Sequence, residues 1–149
     1  MGTIRGERTV EIEAAPHLVY AVAADIELAP EWQPSLTDVE VLARDGEGRA
    51  RSVDTESDAS VRTIRSRMTF AYDPPTAMTW EQERGDVKAL HGWWHFEDLG
   101  GERTRATYGL EVDPGRMLGM LLRGPAEGKV RDFLVGGAAE GLKERAEAG

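Results

Sequence analysis

The stretch "HGWWHF", residues 91–96, holds two of the three histidines and two of the four tryptophans of the chain. Two histidines four residues apart suggest metal chemistry. On a helix, that spacing puts both imidazoles on one face, as in a helical zinc motif. On a strand, four residues cover about 13 Å at roughly 3.3 Å each. Two nitrogens that must each lie about 2 Å from one zinc cannot be that far apart. Here Gly92, Trp94 and Phe96 alternate with His91, Trp93 and His95, which is the period of a strand. His91 and His95 therefore belong to a surface or rim face and do not by themselves chelate one metal; a catalytic role would need one of them to turn inward at a bulge. No third ligand cluster stands out, and neither a metal nor a cofactor is expected. Trp94 and Phe96 point the other way, toward a packed core or a cavity.

The composition narrows the partners. The chain has 149 residues, 30% charged and 40% hydrophobic, which suits one soluble domain over 1–149. The absence of cysteine removes disulfides, thiolate nucleophiles and cysteine zinc sites, and fits a reducing cytoplasm. The formal charge is −9, with arginines interleaved among acidic residues, so no nucleic-acid partner is expected. No apolar run approaches the roughly 18 residues of a membrane span, and "MGTIRGERTV" has no apolar leader core, so no stable membrane insertion is expected.

The elements that carry "HGWWHF" follow from the pattern. "TVEIEA" alternates as a strand, and "APHLVYAVAADI" has Pro16 at a first helical turn with Leu18, Val19, Val22 and Ala23 at helical spacing. "ELAPEWQPSL" carries two prolines and reads as a short helix or turn ending near Pro34. "TDVEVLAR" and "RARSVDTES" are strands around "DGEG".

Two hairpins follow. "VRTIRSRMTFAY" and "TAMTWEQER" flank "DPP". Pairing Tyr72 with Thr76 sets Met68 against Trp80, Phe70 against Met78, Arg67 against Glu81 and Ser66 against Gln82. "VKALHGWWHFEDL" and "RTRATYGLEV" flank "GGE". Pairing Leu99 with Arg103 sets Glu97 against Arg105, Trp94 against Tyr108, and Trp93 over the bare backbone of Gly109. After "DPG" the chain turns helical. Pro125 breaks it, and a long helix is expected over about 126–146 with Val130, Phe133, Leu134, Gly137, Gly141 and Leu142 inward.

This order, together with "DIELAPEWQPSLTDVEVL" and "GWWHFEDLGGERTRATYGLEVDP", resembles the START-like helix-grip superfamily. Within it, the chain looks most like the polyketide cyclase/dehydrase branch of the SRPBCC group. The resemblance implies an α+β helix-grip fold. A curved seven-stranded antiparallel sheet wraps a long C-terminal helix, with two short helices between strands 1 and 2. It also implies a cavity between sheet and helix. Its walls would include Met68, Phe70, Trp80, Trp94, Phe96 and Tyr108, with Trp32 at the mouth and Phe133 on the helix. The glycines at 136, 137 and 141 would leave room beside the helix. Ser66, Gln82, Arg84 and Tyr72 would be the polar groups facing in. Ser66 and Gln82 would either orient a ligand or bond each other.

Three functions fit. One is binding of a hydrophobic small molecule, polyketide-, lipid- or quinone-like, behind a gate made by "EWQPSL" and "GMLLRGP". Another is a polyketide cyclase or dehydratase using Arg84, Tyr72 or Tyr108 for proton transfer. The Gly-Pro-Phe run of tetracenomycin-type aromatases is replaced here by "GDVKALHGWW", and no Ser–His–Asp triad is placed by the sequence. The third is an interaction module with a filled core. A homodimer through an edge strand or the last helix would suit any of them.

Overall fold

The computed structural model describes residues 3–58, 63–116 and 127–148, without the side chains of Glu127, Lys129, Val130, Phe133 and Leu134. Strand β1 (Ile4–Ile12) is followed by helix α1 (Pro16–Ala24) and a 3-10 helix (Ile26–Glu31). Then come β2 (Leu36–Arg44), β3 (Ala50–Asp58), β4 (Thr63–Asp73), β5 (Ala77–Gly85), β6 (Ala89–Asp98) and β7 (Thr104–Asp113). The chain closes with α2 (Glu127–Ala148). The sheet order is β1-β7-β6-β5-β4-β3-β2, with every neighbouring pair antiparallel. Strands β2 to β7 form a meander, and β1 joins its far side. The helix α2 packs against β1, β7 and α1. Sheet and helix thus bury one common face, as the helix-grip expectation required.

Alternation decides which side chains share that face. Leu90, Trp94, Phe96, Ala106, Tyr108, Leu110 and Val112 all turn to the inner side, where Ala106 and Trp94 are almost fully buried. The β6–β7 register matches the sequence reading: Leu99 donates its N–H to Arg103 O at 3.0 Å, and Trp94 lies opposite Tyr108. The Trp93 ring covers Gly109, where an added Cβ would stand 2.0 Å from Cε2. His91 and His95 sit on the outer face as expected, with His95 exposed.

The β4–β5 register differs by two residues from the sequence reading. Asp73 pairs with Ala77, the turn closes through Thr76 N–H to Asp73 O at 3.0 Å, and Phe70 meets Trp80. A shift of two leaves every side chain on its face but changes its partner. Arg67 therefore does not meet Glu81. It makes a two-toothed pair with Asp54 on β3, at 2.8 and 3.1 Å. Further along, Met68 faces Gln82 while Arg67 faces Arg84, so Glu83 is an extra residue in β5. Such a bulge reverses the alternation beyond it.

Two helix readings are corrected. In α1, Leu18 is 52% exposed and Tyr20 is buried in its stead, with its hydroxyl donating to Ala77 O at 2.8 Å. In α2 the inner stripe runs through Val135, Ala138, Ala139, Gly141 and Leu142, while Gly137 is only partly covered. At Gly141 a small residue is needed because neighbouring backbone comes close. The side chains of Val130, Phe133 and Leu134 lie outside the described residues. The glycines do not leave empty room: Gly136 meets the Arg8 guanidinium, Gly137 meets Pro34, and Gly141 meets the Trp32 carbonyl.

Candidate functional site: an aromatic cavity between sheet and helix

Inner side chains do not fill the whole space between sheet and helix. A cavity of about 110 Å³ remains among β1, β3 to β7, α2 and the 26–36 segment. Its sheet wall is an aromatic belt. Phe70 stacks on Trp80 at 5.6 Å, Trp80 lies 5.6 Å from Tyr108, and Tyr108 meets Trp94 edge-on at 4.8 Å. Gly92 makes this belt possible. Trp80 on β5 lies across Gly92 on β6, where a Cβ would stand 2.2 Å from Cε2, and so reaches Tyr108 on β7. Met68 and Met78 complete that wall, and Val135 and Arg131 close the helix side.

Of the residues expected at the site, Trp32, Ser66, Met68, Phe70, Trp80, Trp94 and Tyr108 border this cavity. Four others do not. Phe96 lies beneath α1, edge-on to Tyr20 at 5.7 Å, because α1 covers that end of the sheet. Tyr72 donates its hydroxyl to Ala50 O at 2.5 Å and lies under the Arg49 guanidinium, so it closes the sheet end. Arg84 is turned to the exposed outer face by the bulge at Glu83, near Arg67 and Asp54. Gln82 points inward but folds over Gly85, accepting from Ser66 Oγ at 2.8 Å and donating to Val87 O at 2.9 Å. Ser66 and Gln82 thus satisfy each other. The side chain of Phe133 and the whole of "GMLLRGP" lie outside the described residues.

Sequence reasoning missed Gln33, Ser35, Thr55, Ser57 and Arg131, which all border the cavity. Ser35 and Gln33 flank Pro34 in a connection with no period to read. Thr55 and Ser57 alternate inward on β3, where the polar type disguised the inner face. Gln33 bonds the Tyr108 hydroxyl, and burial raises the Tyr108 pKa well above its ordinary value. The phenol therefore stays protonated. Trp32 Nε1 is buried and has no hydrogen-bond partner among the described residues. No group of three or more metal-ligating side chains occurs among the described residues.

This is an apolar space with a few polar groups at its border, which is the usual build of a small-molecule site. Residues 3–147 match the family model described as "Polyketide cyclase / dehydrase and lipid transport". The chain belongs to this family. Its fold is that of the START superfamily. A START superfamily protein from Mycobacterium smegmatis has 20% identity and a TM-score of 0.84, with 99% of each chain covered. A protein from Thermus thermophilus has 27% identity and a TM-score of 0.81, covering 99% of this chain and 98% of that one. The Zhui aromatase/cyclase from a Streptomyces species, strain R1128, has 22% identity and a TM-score of 0.75, covering 98% and 94%. No curated protein matches by sequence. No helix among the described residues is long and apolar enough to cross a membrane.

Proposed function

We propose that this family member binds a hydrophobic small molecule, polyketide-, lipid- or quinone-like, in the cavity between the sheet and α2. The observation that carries the reading is the wall itself. Phe70, Trp80, Trp94 and Tyr108 offer continuous aromatic surface, while Ser66 is already bonded to Gln82. Such a wall takes an apolar ring or chain by removing its surface from water, at about 25 cal/mol for each Å² buried. The size sets a further condition. Sites for drug-sized ligands usually enclose about 300–1,000 Å³, and a dry cavity of about 150 Å³ in another protein accepts benzene. With about 110 Å³, this cavity is smaller than either, so even a single ring needs the wall to give a little. A polycyclic ligand needs the wall to move outward.

The cyclase reading has less support here. Of Arg84, Tyr72 and Tyr108, only Tyr108 borders the cavity. The test is native mass spectrometry of the protein purified from its own host, followed by extraction of what it holds. A stoichiometric apolar molecule is the expected result. An empty protein that also fails to bind polyketide, sterol, fatty-acid and quinone panels in calorimetry would overturn the reading.

A further inference from the structure

Trp32 is only 8% exposed and borders the cavity where the 3-10 helix passes toward β2. Its indole is oriented by what it touches. The Cε3 edge lies toward α2, 3.5 Å from where a Cβ on Gly141 would stand. Nε1 is on the opposite edge of an indole, so its N–H points away from Gly141; the Trp94 ring is a neighbour in the same cavity wall. The two rings are 6.4 Å apart. That N–H is buried and meets no acceptor among the described residues. Buried indole donors normally have a partner. A lone water is a poor substitute, because a buried water needs two to four polar groups around it. Gln33, the next residue in the chain, hydrogen-bonds the Tyr108 hydroxyl.

We propose that Trp32 is a specificity-determining residue, and that its Nε1–H takes a neutral oxygen acceptor on the ligand, a ketone or quinone carbonyl. This rests on the cavity being a ligand site. The chemistry favours an acceptor because an indole N–H can only donate. The lining packs over the N–H, so an incoming carbonyl reaches it by displacing a neighbouring side chain. An apolar ligand without oxygen gains the aromatic wall but leaves the donor unmet.

The test compares menadione with 2-methylnaphthalene, which share a carbon skeleton and differ in two carbonyl oxygens. The chain has no cysteine, so menadione forms no thiol adduct. Calorimetry gives the ratio of the two dissociation constants for the wild type and for Trp32→Phe. The expected result is about a tenfold fall in menadione preference in the variant, equal to roughly 1.4 kcal/mol. Trp93→Phe, on the outer face, should keep the wild-type ratio. Independently, the Trp32 indole ¹H–¹⁵N resonance should move downfield with menadione and much less with 2-methylnaphthalene. That signal decides the matter if Trp32→Phe does not fold. An unchanged ratio, or equal shifts with both probes, overturns the assignment while leaving the binding reading standing. Failure of both probes to bind overturns the assignment, and the binding reading falls with it only if the protein purified from its host also holds no apolar molecule.

Discussion

The carbonyl oxygen of Trp32 occupies the place a side chain at Gly141 would take, 1.7 Å from an ideal Cβ. Helix α2 and the 26–36 segment are therefore locked backbone to side, and Trp32 is held at the cavity border. Gly141→Ala gains helix propensity of about 1 kcal/mol, but it must push a backbone carbonyl aside. Overpacking of this kind costs about 1–3 kcal/mol and occasionally more. The expected outcome is net destabilisation. The same substitution at Gly128, where nothing among the described residues lies within 4 Å, should stabilise by about 0.4–1 kcal/mol. Thermal denaturation of the two variants checks the opposite signs.

Gly92 and Gly109 each lie under a tryptophan ring, but on opposite faces of the sheet. Gly92→Ala should lift Trp80 into the cavity, and both lower stability and weaken ligand uptake. Gly109→Ala should displace Trp93 on the outer face and lower stability alone. Melting temperatures and calorimetric affinities for one probe separate the two. Equal loss of affinity in both would contradict the placement of the cavity.

Arg84→Ala and Tyr72→Phe should leave ligand affinity unchanged, because neither group borders the cavity. Trp80→Ala should weaken it by about tenfold or more, roughly 1.4 kcal/mol. Titration calorimetry with menadione is the check. A loss in Arg84→Ala would place the ligand on the outer cleft beside Asp54.

All three tyrosines of the chain have pKa values raised by burial. An unfolded phenol titrates near pH 10. Below that, both states keep their protons and the stability is intact. Above it, the unfolded chain releases protons that the folded chain retains, so stability falls as pH rises. Absorbance at 295 nm should show no phenolate step at pH 10 in the folded protein. It should then show one cooperative rise that coincides with unfolding by circular dichroism. A separate step near pH 10 would show that one of the three is exposed.

Much of this is legible in the residues. The β6–β7 hairpin reads in register because "GGE" allows one closure that matches both the Trp94–Tyr108 face and the Glu97–Arg105 pair. The "DPP" hairpin reads two residues out. An even slip leaves the apolar pattern intact, so only the turn could choose. Arg84 reads onto the wrong face, since one extra residue at Glu83 inverts everything beyond it and leaves no mark in composition.

The sequence by itself determined the strands, the two short helices, the long last helix and the inner aromatic face, because those follow from side-chain periods of two and 3.6. It also settled that His91 and His95 could not share a metal, since a strand holds them too far apart. Tertiary structure decided how that face is divided. Packing of α1 over the sheet end made Phe96 core, while Trp80, lying across Gly92, became cavity wall. Close approach of the Trp32 backbone to Gly141 holds Trp32 at the cavity border, where its indole N–H has no partner among the described residues. Those outcomes depend on contacts between segments far apart in the chain, which no local pattern encodes.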